Sequence, residues 1–166
     1  MAKKKILLLS DDLRMSSGIA TVSKELVFGT FEHYDWVQLG AAVNHPEKGK
    51  EIDLGDDARK VSGVKDASLK IIPWTGYGDA NILRELIMRH QPDAILHFTD
   101  PRFWIWLYQM EHELRQHTPI LYYNIWDDIP DPLYNTNFYR SSDMLMSISK
   151  QTYGINKRIL SKYGLS

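Results

Sequence analysis

Short apolar segments alternate with amphipathic segments along this chain. The first apolar segment, Lys5–Ser10, has polar residues on both sides, which is typical of a strand buried on both faces of a parallel sheet. Five similar segments follow it: Trp36–Ala41, Leu69–Ile72, Ala94–Phe98, Ile120–Ile125 and Met144–Ile148. Because helical patterns separate most of these segments, the sequence predicts an α/β fold with three layers (α/β/α) and a mostly parallel sheet of six to seven strands.

The helical segments carry start and stop signals. The helix Ile19–Phe28 has Gly29 placed to end it, and Asp79 is a predicted N-cap for a helix that reaches His90. A further helix begins after Asp100 and Pro101. Its predicted apolar face is Phe103, Trp106, Leu107, Met110 and Leu114, with Trp104 and Tyr108 beside it in packing positions.

The last helix is predicted from Ser149 to Tyr163, with Ile155 and Ile159 on its apolar face and Gly164 to close it. The segment Asn44–Ser68 interrupts the alternation. It has few apolar residues and many charges, so we predict a long surface excursion without regular structure, except for a hairpin near Ile52–Leu54.

Composition narrows the function classes. The 166 residues suit one domain spanning 1–166. The net charge of −1 excludes a broad electrostatic surface for nucleic acid. No apolar run approaches the ~20 residues of a transmembrane segment. There are no cysteines, so disulfides and zinc–cysteine sites are excluded and a cytoplasmic location is predicted.

Ligands of open parallel sheets bind at the carboxyl ends of the strands. That rule selects four polar segments: Asp11–Gly18, Trp74–Asp79, Thr99–Arg102 and Trp126–Pro132. Ser16, Ser17 and Gly18 can present hydroxyl and N–H groups to a diphosphate or a sugar, or simply cap the first helix, and the same geometry serves both roles. The loop has neither the dinucleotide-binding pattern nor that of a P-loop.

The densest polar cluster follows the fifth apolar segment. Asp127 and Asp128 are candidate catalytic groups that accept protons, and Trp126 offers a flat apolar surface to a sugar ring. His97, near the end of an apolar strand, is predicted to be a hydrogen-bonded core residue. No metal site is predicted, because the histidines lack metal-binding spacing.

Four regions together resemble the N-terminal domain of GT-B glycosyltransferases, in particular glycosyltransferase family 4. They are the loop and helix Ser16–Val22, the segment Gln91–His97, the segment Pro119–Pro130, and the stretch from Phe138 through Asp143 to Ser149. In this chain Trp126 precedes Asp127, where the family usually has a histidine. Ser16-Ser17-Gly18 stands where a glycine pair is common.

The resemblance implies a Rossmann-like, acceptor-side domain of a retaining enzyme that moves a sugar from a nucleotide-sugar to a carbohydrate or glycolipid-type acceptor. Ser16, Ser17 and Gly18 would lie under the donor phosphates or the acceptor. Asp100 and Arg102 would line the acceptor cleft. No tightly bound cofactor is implied, since the nucleotide-sugar is a co-substrate. The nucleotide-sugar-binding C-terminal domain is absent from these residues, so the isolated chain is expected to be inactive.

Two alternatives remain open at this point. One is a non-catalytic sugar-binding domain or subunit. The other is a flavodoxin-like phospho-receiver, which Asp11-Asp12 after the first strand resembles. A receiver also needs a strand-end aspartate and a lysine, but Asp100 and Lys150 come too late in the chain.

Overall fold

The computed structural model describes residues 3–44, 46–124, 132–147 and 150–162. In these residues seven strands form one sheet in the order β3-β4-β2-β1-β5-β6-β7. The strands are β1 Lys4–Asp11, β2 Tyr34–Ala41, β3 Ile52–Asp53, β4 Leu69–Pro73, β5 Ala94–Phe98, β6 Ile120–Asn124 and β7 Met144–Ser147. All neighbouring pairs are parallel except β3 with β4. The predicted α/β class with a mostly parallel sheet is therefore confirmed.

Helices cover both faces of the sheet. They are α1 Gly18–Phe28, α2 Gly55–Ser62, α3 Ala80–His90, α4 Ile105–Gln109, α5 Glu111–Arg115, α6 Thr136–Arg140 and α7 Lys150–Lys162. One core cluster joins the sheet to α3, α4 and α5, and a second joins the opposite face to α1 and α2. A third, smaller cluster packs α6 and α7 around Tyr122. The result is a three-layer, Rossmann-like arrangement.

The most deeply buried strand is the one that the apolar pattern marks first. Leu7, Leu8 and Leu9 are fully buried, because β1 pairs with β2 on one side and β5 on the other while helices cover both faces. Leu7 and Leu9 join one core cluster and Leu8 the other. This alternation places a continuous apolar run at the centre of a sheet that is buried on both faces.

The predicted caps of α1 and α3 are confirmed. Asp79 accepts a hydrogen bond from the Ile82 N–H at 2.9 Å, and the Gly29 N–H closes α1 on the Glu25 carbonyl oxygen at 2.9 Å. The α7 residues Ile155 and Ile159 are buried as predicted. Three residues named for the ends of that helix, Ser149, Tyr163 and Gly164, lie outside the described residues.

The prediction that residues 44–68 lack regular structure is wrong. Helix α2 lies inside this segment and ends at Gly63, which has a φ of +73°. Only Gly55 and Ala58 of the helix are buried, so its contact with the sheet leaves no stripe of large apolar residues to detect. The short strand expected near Ile52 exists, but it pairs with β4 rather than within a local hairpin.

The prediction of one continuous helix after Asp100 is also wrong. Residues Pro101–Trp104 form a 3-10 turn, and α4 and α5 then follow with a break at Met110. A 3-10 turn advances about 20° more per residue than an α-helix, or roughly 80° over four residues. The buried face therefore rotates: Trp104 and Tyr108 enter the core as the packing prediction allowed, whereas Phe103 is 55% exposed.

Candidate functional site

The candidate site lies at the carboxyl edge of the sheet, where β1 and β5 separate. Without the antiparallel β3, the six parallel strands lie side by side in the order β4-β2-β1-β5-β6-β7. Numbered from one to six in chain order, this is 3-2-1-4-5-6. The strands that follow β1 are thus added on one side of it up to β4 and on the other side from β5 onwards. Ser10 pairs with Phe98 at the end of these two strands. The loops that follow, 11–17 and 99–102, therefore border the crevice in which such sheets bind ligands.

A buried carboxylate holds the loop after β1 in place. Asp12 is fully buried and accepts hydrogen bonds from the Arg14 backbone N–H at 2.9 Å and its guanidinium at 2.9 and 2.8 Å. A Cβ on Gly40, in the neighbouring strand, would lie 2.7 Å from the Asp12 Oδ2. Gly40 thus provides the space that this carboxylate occupies.

The side-chain amide of Gln38, on the neighbouring strand β2, also holds this loop in place. Its Oε1 accepts a hydrogen bond from the Leu13 N–H at 3.1 Å. Its Nε2 donates to the Ser10 hydroxyl at 2.9 Å and to the Asp11 carbonyl oxygen at 2.7 Å. Because Gln38 and Ser10 are fully buried, these bonds form in a low-dielectric interior and restrict the loop to one conformation.

Ser17 has the capping role that its sequence position suggested. Its Oγ accepts a hydrogen bond from the Ala20 N–H at 3.0 Å and donates one to the Asp11 Oδ2 at 3.0 Å. The Asp11 carboxylate therefore lies next to the start of α1, where the helix dipole favours negative charge. A phosphate approaching Ser17 would meet this existing negative charge.

Ser16 and Gly18 have different surroundings. Ser16 is exposed and lines a surface depression of about 680 Å³ together with Arg14, Thr21 and Lys24. Gly18 is exposed, and no heavy atom lies within 4 Å of the place where its Cβ would stand. Of the three predicted loop residues, only Ser17 contacts a carboxylate that borders the crevice.

The loop after β5 is built around Asp100. This residue caps the 3-10 turn by accepting from the Arg102 backbone N–H at 2.9 Å, and the Arg102 Nε donates to both of its carboxylate oxygens at 3.0 Å. Partial burial acts to raise the pKa of Asp100, but the hydrogen bonds from Arg102 outweigh it and the pKa is lowered. The two predicted cleft residues are thus joined as one ion pair.

Tyr77 lies in the loop after β4 and contacts the turn after β5. Burial raises the pKa of its hydroxyl, and the negative charges of Asp11 and Asp100 raise that pKa further. Its ring stacks on Phe103 with centroids 5.0 Å apart and an interplanar angle of 13°. The loop after β4 therefore contributes an aromatic surface that lies within the electrostatic influence of two carboxylates.

Sequence reasoning placed Phe103 in the core and did not identify it as a site residue. The available signal was its position two residues after Pro101, inside a turn that leaves a strand end. The sequence predicted Trp74–Asp79 as a segment at a ligand-binding strand end and Asp79 within it as a helix cap. The structure combines them, because Asp79 caps α3 while Tyr77 borders the crevice.

The neighbouring connection after β2 contains a strained residue. Ala42 has a φ of +60°, a left-handed conformation that costs free energy for a residue with a Cβ. Its N–H donates to the Gly76 carbonyl oxygen at 2.7 Å. Lys48, further along the same connection, lies 4.8 Å from the ring centre of Trp74. Residues on the β4 side of the site are thus held by backbone and cation–π contacts.

His97 lies beneath the crevice as a core residue, as predicted. It is fully buried, and its Nδ1 is 2.8 Å from the Tyr108 hydroxyl. Burial lowers the pKa of His97 to about 3, although the charge of Asp100 opposes that shift. The ring is therefore neutral at pH 7.

The remaining predicted site residues, Trp126, Asp127 and Asp128, lie outside the described residues. The strand that precedes them is anchored at its end. Asn124 is buried, and its Nδ2 donates to the Tyr139 hydroxyl at 3.0 Å and to the Asn156 Oδ1. The carboxyl end of β6 is thus tied to α6 and α7.

Across the described parts of the chain, no group of three or more histidine, aspartate or glutamate residues is arranged to hold a metal ion. None of the helices found there has the length and apolar character needed to cross a bilayer. Comparison with models of known protein families finds no match to this chain, and comparison with curated protein sequences finds no relative. The fold defines the class of this chain as a Rossmann-like α/β domain whose strand order reverses between β1 and β5.

Proposed function

We propose that this chain is the acceptor-binding, N-terminal domain of a GT-B glycosyltransferase that moves a sugar from a nucleotide-sugar to a carbohydrate-type acceptor. The observation that carries the proposal is the stacked pair of Tyr77 and the exposed Phe103 at the switch point of the sheet, where the charges of Asp11 and Asp100 act on the Tyr77 hydroxyl. Carboxylates accept hydrogen bonds from hydroxyl groups, and an aromatic ring packs against the apolar face of a sugar. Both features suit a polyhydroxylated ligand.

The charges of the crevice favour a neutral ligand over a phosphate. Arg14 is paired with Asp12 and Arg102 with Asp100, so each loop neutralises its own guanidinium. Asp11 adds a negative charge at the start of α1. In this proposal the sugar acceptor occupies the crevice, and the donor diphosphate is held by a second domain through helix N-termini and basic residues.

Binding to the 166-residue chain tests the acceptor role. Glucose, maltose, sucrose and a nucleoside diphosphate would each be titrated into ¹⁵N-labelled protein and followed by NMR. We expect at least one neutral sugar to shift the signals of Tyr77 and Phe103. Phe103→Ala should weaken that binding about tenfold, which corresponds to about 1.4 kcal/mol.

Met88→Ala is the matched control for that variant. Met88 is another exposed apolar side chain, 79% accessible on α3, and its loss should leave the affinity for sugar unchanged. If no neutral sugar binds, or if Phe103→Ala binds as tightly as the wild type, the crevice is not an acceptor site.

Transfer is tested separately. The isolated chain should release no nucleoside diphosphate from a panel of nucleotide-sugars, because the proposal assigns donor binding to another domain. Transfer by these 166 residues alone would contradict that division of roles. Sugar binding that never supports transfer, even with a donor-binding domain joined to the chain, would favour the non-catalytic sugar-binding alternative.

The structure offers less support for a phospho-receiver. The acidic pair after β1 does not form an open site, because Asp12 is fully buried against Arg14. Its partner Asp11 is hydrogen-bonded to Ser17. An acidic pair that binds a ligand needs open carboxylate oxygens, and both oxygens of Asp12 are occupied by Arg14.

A further inference from the structure

Two fully buried side chains beneath the crevice, His97 and Trp104, have a ring nitrogen without a hydrogen-bond partner among the described residues: the His97 Nε2 and the Trp104 Nε1. The Nε1 of Trp106, a half-buried side chain whose ring touches that of Trp104, lacks a partner as well. The rings of His97 and Trp104 are in contact, with centroids 5.2 Å apart. Because unpartnered buried polar atoms are rare and unfavourable in folded proteins, two of them on touching rings require a physical explanation.

The imidazole of His97 has a polar partner at its other nitrogen. The Tyr108 hydroxyl lies 2.8 Å from the His97 Nδ1 and pairs with it. A neutral imidazole has one N–H donor and one acceptor nitrogen. The His97 Nε2 is therefore a donor in one tautomer and an acceptor in the other, and in both it needs a partner.

The indole N–H of Trp104 can only donate. A water molecule has two hydrogens and two lone pairs, so it can accept from the indole N–H and also pair with the His97 Nε2 in either tautomer. Neither ring carries a charge at neutral pH, so the pair does not call for an ion. We propose that one buried water bridges the His97 Nε2 and the Trp104 Nε1.

This water would connect two elements that shape the crevice. His97 belongs to β5, and Trp104 ends the 3-10 turn that also carries Arg102 and Phe103. A bridge between them holds the turn against the sheet and so maintains the exposed position of Phe103. The water site stands on the two nitrogens alone and does not depend on the ligand of the crevice.

A high-resolution crystal structure of the wild-type chain tests the proposal directly. We expect an ordered solvent peak within roughly 3 Å of both nitrogens. A direct contact of either nitrogen with a protein acceptor or donor, or a dry gap between the rings, would overturn it.

A solution measurement gives an independent test. Water ¹⁷O relaxation dispersion counts long-lived internal waters, and Trp104→Phe should contain one fewer than the wild type. Trp36→Phe is the matched control, because the Trp36 Nε1 already donates to the Thr30 hydroxyl at 3.0 Å and its removal should leave the count unchanged. An equal count in Trp104→Phe and the wild type would refute the water site.

Discussion

The buried imidazole of His97 should make the protein less stable in acid, by an amount that its pKa defines. In the unfolded chain the pKa has its ordinary value of 6.5, whereas burial lowers it to about 3 in the folded protein. Between these values the unfolded state binds a proton and the folded state does not, so the free energy of unfolding falls as the pH falls. The slope reaches 1.36 kcal/mol per pH unit only below the unfolded pKa of 6.5, so the loss from about pH 7 to about pH 4.5 is about 2.5 kcal/mol.

Replacing His97 with glutamine removes this contribution while keeping a polar group near Tyr108. Urea denaturation of the wild type and His97→Gln, at about pH 7 and about pH 4.5, gives the loss of stability for each protein. The variant should lose about 2.5 kcal/mol less than the wild type over this interval. His117→Gln, which replaces an exposed histidine, should follow the wild type. If the wild type and His97→Gln lose the same free energy, His97 is not held neutral by burial.

Three further substitutions test the loops that border the crevice, each by urea denaturation at neutral pH. Gly40→Ala should lower the free energy of unfolding by roughly 1–3 kcal/mol, because its Cβ would overlap the Asp12 carboxylate; a neutral effect would mean that the carboxylate can move. Arg14→Ala should lower the free energy of unfolding by about 3 kcal/mol. This is the lower end of the range for breaking a buried ion pair, because the Arg14 side chain is 35% exposed. A loss below roughly 1 kcal/mol, as measured for exposed ion pairs, would show that Asp12 finds other partners. Ala42→Gly should raise it by about 0.5–1 kcal/mol by relieving a positive φ, whereas the strand control Ala41→Gly should lower it; a decrease in both would contradict the strain at position 42.

The acidic residues of the crevice change which ligand the loop after β1 is expected to bind. From the sequence, Ser17 suited a helix cap and an anion site equally well. In the structure its hydroxyl is shared between the Ala20 N–H and the Asp11 carboxylate. The protein thus supplies the negative charge at this helix start, which is why the proposal assigns hydroxyl groups rather than phosphates to the crevice.

Local patterns were sufficient to predict the sheet. Within the described residues the six main strands were predicted to within one or two residues, because a strand buried on both faces needs a continuous apolar run such as Leu7–Leu9. Ile125 and Ile148, the last residues predicted for β6 and β7, lie outside the described residues. The cap at Asp79 was predictable for a similar reason, since capping depends on the residues of one helical turn. The class of fold and the edge of the sheet where a site should lie were therefore determined by the sequence alone.

Tertiary structure decided the features that depend on residues far apart in the chain. Helix α2 was missed because small residues, Gly55 and Ala58, make its contact with the sheet. Phe103 was assigned to the core because a 3-10 turn cannot be distinguished from an α-helix by apolar spacing. The meeting of Asp11, Tyr77 and Asp100 depends on strand order, since these residues are separated by long stretches of sequence. Periodicity reports the face that a residue occupies within its own element, whereas a site forms only when packing brings different elements together.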